Sequence, residues 1–194
     1  MVPDPYEGLP DIGVYSETLP ARRSREQFYD EDDSDIKNEV ARVVAHEGPI
    51  HQDLLVRRVA RMFQLMRTGH NVDHRIRMQI KTALTEGKIR RYGAFLWPRD
   101  AQPVKPRRPA ANVPLRDIEH VPPEELEAAA LLVARLTRGI REDELARETP
   151  RVLGYSRITA NIEGVAAKAI KRLLRSGALV LRGDHLFAGQ SVGD

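Results

Sequence analysis

The sequence contains no cysteine, which excludes disulfides and thiolate metal ligands and fits a reducing compartment. Aromatic residues make up only 5% of the chain, too few for an extended platform on which single-stranded bases stack. The longest wholly apolar run, 128–134, is far shorter than the roughly 20 residues of a membrane helix. The beginning of the chain is Pro-rich and acidic, without the basic-then-apolar pattern of a secretory signal. These absences lead us to expect a soluble, cytoplasmic protein with no membrane partner. Its 194 residues suffice for one or two domains, each with its own core.

Charge is present in quantity and unevenly placed. The net charge is +3, yet residues 1–49 hold five Lys/Arg against twelve Asp/Glu, whereas residues 50–98 hold ten against three. A segment at +7 is the kind of local field that attracts phosphates, although crowded arginine also serves as plain solubilising surface.

Residues 1–33 form a Pro-rich, acidic extension, with Pro3, Pro5, Pro10 and Pro20 interrupting any period and an acidic cluster at 30–33. The extension is either solvated, leaving Asp33 or Ser34 as a helix N-cap, or an arm that shields a basic module from nonspecific nucleic acid. From 34 to 98 the pattern predicts helix, short strand, helix, helix, hairpin. Ile36, Val40, Val43 and Val44 form the first apolar stripe; Ile50-His51 is a short extended stretch. Residues 53–62 place Leu54, Leu55, Val59 and Met62 inward and Arg57, Arg58 and Arg61 outward. A turn follows at 68–71, with Asn71 or Asp73 as cap of a third helix carrying Ile76, Ile80, Ala83 and Leu84 inward. Gly87 stops that helix, and Gly93 turns a hairpin between 88–92 and 95–97. This order is that of a winged helix-turn-helix.

Residues 99–122 read as a Pro-rich, semi-rigid linker in which Lys105, Arg107 and Arg108 are solvated or touch a phosphate backbone. Residues 123–188 then repeat the first module, leaving 189–194 as a tail. Pro123-Glu124-Glu125 opens a helix through Leu126, Ala130, Val133 and Leu136; 142–148 and 159–176 supply the second and third; Gly183-Asp184 turns the hairpin. A constant offset of 90 pairs Leu55 with Leu145, Ile80 with Ile170, Leu84 with Leu174, Ile89 with Leu179 and Trp97 with Phe187. A period that long signals duplication of a whole fold. The expected class is mainly α with small β-hairpin wings, as two tandem winged helix-turn-helix modules.

Particular residues extend this reading. Glu47-Gly48-Pro49-Ile50-His51, Arg75-Ile76 and Gly93-Ala94-Phe95-Leu96-Trp97-Pro98 resemble a C-terminal domain of unknown function in large bacterial superfamily I helicase relatives that carry an endonuclease-like domain. In the second half Ile118, Pro123-Glu124-Glu125, Glu144-Leu145 and Leu153-Gly154-Tyr155-Ser156-Arg157 agree in type and order. The resemblance implies a role beside a helicase or nuclease partner in DNA processing or defence. Because the chain lacks a Gly-x-x-x-x-Gly-Lys-Ser/Thr loop and a recognisable nuclease metal constellation, neither activity carries over.

No catalytic site is evident, and the chain is not expected to be an enzyme or to need a cofactor. His70 and His74 stand four apart, but His70 is expected in the turn and a structural zinc takes four ligands, so no metal is assigned. Nucleic-acid binding, to duplex DNA, is the leading expectation. In the first module Arg75 and Arg77 reach base edges or phosphates, Gln79 reads adenine, Lys81 and Thr82 meet phosphates, and Lys88, Arg90 and Arg91 make the wing basic. In the second module Arg157, Lys168, Lys171, Arg172 and Arg175 take those places. The alternative is a protein-interaction scaffold that docks a helicase or nuclease without touching DNA.

Overall fold

A computed structural model describes residues 4–20, 23–30, 32–101 and 103–189; Pro3 and Glu31 of the N-terminal extension and 190–194 of the tail lie outside the described residues. The chain is mainly α, with seven helices and small, mostly antiparallel β elements among the described residues. It divides into two compact units, one of Ser16–Gln102 and one that joins Met1–Tyr15 to Pro103–Asp194.

The first unit begins with α1 (Arg25–Tyr29), a five-residue helix started by a capping box. Gln27 N–H donates to Ser24 Oγ at 3.3 Å, and Ser24 N–H donates to Gln27 Oε1 at 2.7 Å. Its Phe28 is buried against Phe63, their rings 5.4 Å apart. Helix α2 (Ser34–Glu47) buries Ile36, Val40, Val43 and Val44, and strand β2 (Ile50–His51) leads into α3 (Gln52–Met62). The third large helix, α4, spans His70–Thr85, with Gly69 as N-cap and no side-chain cap. His70 is therefore helical rather than in the turn, and neither Asn71 nor Asp73 caps. Glu86 ends α4 and Gly87, at φ +67°, lets the chain reverse into β3 (Ile89–Tyr92) and β4 (Phe95–Pro98). The three strands run in the order β2-β4-β3.

One arginine expected on the surface is in the core. Arg58 is buried between Glu47, at 3.0 Å, and Glu17, at 2.6 Å; Glu47 also accepts the Thr18 N–H at 2.8 Å. The fully buried carboxylate needs these partners, and the arginine's long stem lets its head reach them from α3.

In the second unit the expected extension and linker contribute structure. Strand β1 (Gly13–Tyr15) pairs in parallel with β5 (Arg107–Pro109). Arg107 and Arg108 are not solvated: Arg107 and Arg116 both grip the fully buried Glu125, and Arg108 pairs with Asp4 at 2.7 Å while donating to the Val152 carbonyl at 2.8 Å. Helices α5 (Pro123–Thr137), α6 (Glu142–Val152) and α7 (Ala160–Ser176) enclose Leu126, Val133, Leu145 and Ile170. Leu136 on α5 is exposed, and Leu132 lies in the core. Strands β6 (Leu179–Arg182) and β7 (His185–Ala188) close the unit as a hairpin.

The two units share a backbone plan at the offset of 90. Helices α3 and α6 start at 52 and 142, and α4 and α7 at 70 and 160. Ile50 pairs with Leu96 and Ile140 bridges Leu186. Ile89 opposes Pro98, as Leu179 opposes Ala188. Gln64 and Gly154 both take positive φ just past the ends of α3 and α6.

Candidate nucleic-acid interface

Helix α4 has three faces of different fate. Val72, Ile76, Ile80 and Ala83 pack into the core. A second face, expected to read DNA, is engaged by the acidic segment before α2. Arg75 Nε donates to Asp33 Oδ1 at 2.7 Å, its Nη2 bonds the Asp30 carbonyl, and the guanidinium lies 5.5 Å from the centre of the Phe28 ring. Gln79 is buried and its amide donates to Asp33 Oδ2 at 2.6 Å. Each oxygen of Asp33 thus holds a different residue of α4. The expectation that Gln79 reads adenine is corrected here: its amide is committed inside the fold. Arg77 is held by Asp73 and Asp53, both at 2.7 Å, and these two hydrogen bonds raise its pKa above the usual arginine value, Asp73 contributing more.

The third face and the following hairpin remain open. Lys81 is exposed and forms no ion pair among the described residues; Thr82 is half-buried, its hydroxyl donating to the Met78 carbonyl at 3.1 Å. Lys88 pairs with Glu86 at 2.9 Å, and Glu86 also takes Lys37 at 2.8 Å; the hydrogen bonds from Lys37 and then Lys88 hold the Glu86 pKa below the ordinary glutamate value. Arg90 is exposed with no ion pair among the described residues, and Arg91 is exposed with only the neutral Gln52 side chain at 3.1 Å. The open cations of the predicted set in the first unit are therefore Lys81, Arg90 and Arg91. The first unit as a whole carries sixteen Lys/Arg against thirteen Asp/Glu, so the +7 of residues 50–98 is largely balanced within the unit itself. What persists is local, within about one Debye length of roughly 8–10 Å around the hairpin.

Sequence reasoning passed over Tyr92. It is 55% exposed near the tip of the hairpin, its ring edge-on to that of Trp97 with centroids 5.6 Å apart. Its signal was its place, an aromatic residue directly after two arginines and before a turn glycine.

In the second unit Arg157 is exposed before α7, where it lines a cavity of about 510 Å³ with Leu115, Tyr155 and Asn161. Lys168 and Lys171 are exposed without ion pairs among the described residues. Arg172 is tied to Glu127, and Arg175 donates to the Lys171 carbonyl at 3.3 Å. The surface differs most at the hairpin. Positions 90 and 91, both arginine, correspond to Val180 and Leu181, which are 38% and 59% exposed. On the helix, His74 and Arg77 correspond to Gly164 and Ala167.

His70 and His74 stack with ring centroids 6.4 Å apart, and among the described residues no cluster of three or more His, Cys, Asp or Glu side chains could hold a metal ion. No described helix is long and apolar enough to cross a membrane.

Residues 26–74 match the model of a family described as a protein of unknown function (DUF3320). The matched stretch runs from α1 into the first turns of α4 and contains Phe28, Asp33, Glu47 and Arg58, so it covers the buried ionic frame of the first unit and stops short of the hairpin. No curated protein and no solved structure matches the chain.

Proposed function

We propose that the chain is a non-enzymatic, tandem winged-helix protein that binds duplex DNA through its first unit, as an accessory to a helicase or nuclease system. The observation that carries this reading is the contrast between the two hairpins. They share one strand register, yet the first exposes Arg90 and Arg91 where the second exposes Val180 and Leu181. Since the second hairpin has the same pairing without them, the arginines are not a requirement of that pairing, and a phosphate backbone is the simplest partner for them. Lys81 and Thr82 on α4 join them as backbone contacts. Arg75 and Gln79 support the interface from behind, because Asp33 already holds them. The helix–strand–helix–helix–hairpin order of 34–98, repeated in 123–188 with an isolated bridge at Ile140 in place of the short strand, supports the winged-helix assignment.

Fluorescence anisotropy of a labelled duplex at increasing salt tests this. With three phosphate contacts, log affinity should fall against log salt with a slope of about −2.7. Arg90→Glu/Arg91→Glu should weaken binding at least about tenfold and flatten the slope. Absence of binding at low salt, or binding unchanged in that variant, sinks the proposal.

A second reading applies to the second unit alone. Its exposed Val180, Leu181 and Leu136, with Ala160, Gly164 and Ala167 along α7, suit a protein-docking surface better than a phosphate backbone. Co-purification of a stoichiometric partner, lost in Leu181→Asp, is the outcome expected of it.

A further inference from the structure

The first hairpin has two faces, set by its register. Arg91 opposes Leu96 and Ile89 opposes Pro98 on the side where Leu96 and Ile89 enter the core. Arg90 opposes Trp97 and Tyr92 opposes Phe95 on the other side. That second side is aromatic: His51 meets Phe95 edge-on at 5.3 Å, and Tyr92 meets Trp97 edge-on at 5.6 Å. Phe95 and Trp97 are buried, and Tyr92 meets the Trp97 ring edge-on with more than half of its surface in solvent. Its hydroxyl has no hydrogen-bond partner among the described residues. Aromatics are rare in this chain, but composition cannot show that one of them is mounted on a rigid ring at a hairpin tip beside two open arginines.

The second hairpin shows that packing does not require a tyrosine there. The matching residue is Arg182, whose guanidinium lies 5.6 Å from the centre of the Phe187 ring. Either side chain covers the ring beneath it. Tyrosine differs in presenting an uncharged aromatic ring, more than half of it in solvent.

We propose that Tyr92 stacks on the first unpaired base at a junction between duplex and single-stranded DNA, with Arg90, on the same face of the hairpin, on a flanking phosphate. This rests on the DNA-binding reading above and names the DNA structure that the same site selects. The reason for a junction is steric and energetic. Both faces of a base inside a duplex are covered by its neighbours, and extruding one costs unstacking energy. At a junction the first unpaired base already has a free face, and stacking on an aromatic side chain is sequence-tolerant because every base has one.

The test compares a blunt 20-base-pair duplex with the same duplex carrying a six-nucleotide overhang, using the full chain at one salt concentration. A 2-aminopurine at the first unpaired position reports stacking by quenching. The junction probe should bind about tenfold more tightly than the blunt one, in the range that one stacked base supplies, with 2-aminopurine quenched on binding. Tyr92→Ala should abolish the preference and the quenching while leaving blunt-duplex affinity unchanged, and Tyr92→Phe should retain both. Tyr92→Leu, which keeps an apolar side chain against the Trp97 ring but offers no flat face to a base, should behave as the alanine variant does even if the latter is poorly folded. Equal binding to the two probes, absence of quenching, or a preference that survives Tyr92→Leu overturns the inference. If blunt-duplex binding then still depends on Arg90 and Arg91, only the junction preference is lost; if no probe is bound, the DNA-binding reading falls with it.

Discussion

Arg58 illustrates how a charged side chain can belong to the core. Glu47 is wholly buried, and its oxygens are met by the Arg58 guanidinium and the Thr18 N–H. Removing one member of such a buried pair leaves the other charge without compensation, so Arg58→Met is expected to destabilise the first unit by about 3 kcal/mol. The double change Arg58→Met/Glu47→Gln should recover part of that loss, because the neutral amide removes the buried charge while its oxygen still accepts the Thr18 N–H. Trp97, the chain's one tryptophan, lies in this unit, so its fluorescence during urea unfolding follows the unit directly. Arg75 calls for a different expectation. Its side chain is partly exposed and its carboxylate partner Asp33 more so, which discounts the pair for screening. Arg75→Ala should cost about 1 kcal/mol in the same assay. It should leave the salt slope of DNA binding unchanged, whereas loss at Arg90 or Arg91 should change the slope and not the stability.

At the scale of elements, the corner between α2 and β2 is tight. A Cβ at Gly48 would stand 2.6 Å from Pro98 Cδ and closer still to the Val44 carbonyl, both held by backbone. Gly48→Ala is therefore expected to lower stability by about 2 kcal/mol, the usual effect of overpacking, read from the Trp97 unfolding curve. The helices and both hairpins were legible in the sequence because period and punctuation agree: apolar residues recur along α2, α3 and α4, and Gly87, Gly93 and Gly183 mark the reversals. Even α1 carried a readable signal in Ser24-x-x-Gln27, although the prolines and acids around it drew attention away. Helix α6 ran past its expected end at 148 because Pro150 lies in its last turn, while the Thr149 hydroxyl donates to the Leu145 carbonyl at 2.7 Å. The pairing of β1 with β5 was not legible: three-residue strands flanked by prolines have no period, and their partners are far apart in the chain. The site was half legible for a similar reason. Charge and helical spacing located α4 and the hairpin, but nothing local to Arg75 or Gln79 announces that Asp33 will hold them.

The whole molecule presents one plan with two surfaces, and its second unit has an ionisation pattern of its own. Tyr6, which donates to Glu148 at 2.8 Å, and Tyr155, which donates to the Arg116 carbonyl at 2.6 Å, both have phenol pKa values raised, mainly by burial. A folded-state pKa above the unfolded one gives stability that is complete below about pH 10 and is lost as pH rises beyond it. Alkaline titration should therefore show Tyr6 and Tyr155 ionising only as the second unit unfolds; tyrosinate absorbance, compared between the native chain and Tyr6→Phe, checks this. Tyr6 precedes the first unit in the sequence and yet packs in the second, as β1 does. That arrangement has a consequence for biosynthesis. Strand β1 at 13–15 leaves the ribosome well before β5 at 107–109 exists to receive it. At ordinary elongation speeds the wait is about 5–20 s. By the end of that interval residues 16–102 are complete, whereas most of 103–188 in the second unit is still to be made, so the stretch made second is the one that completes its unit first.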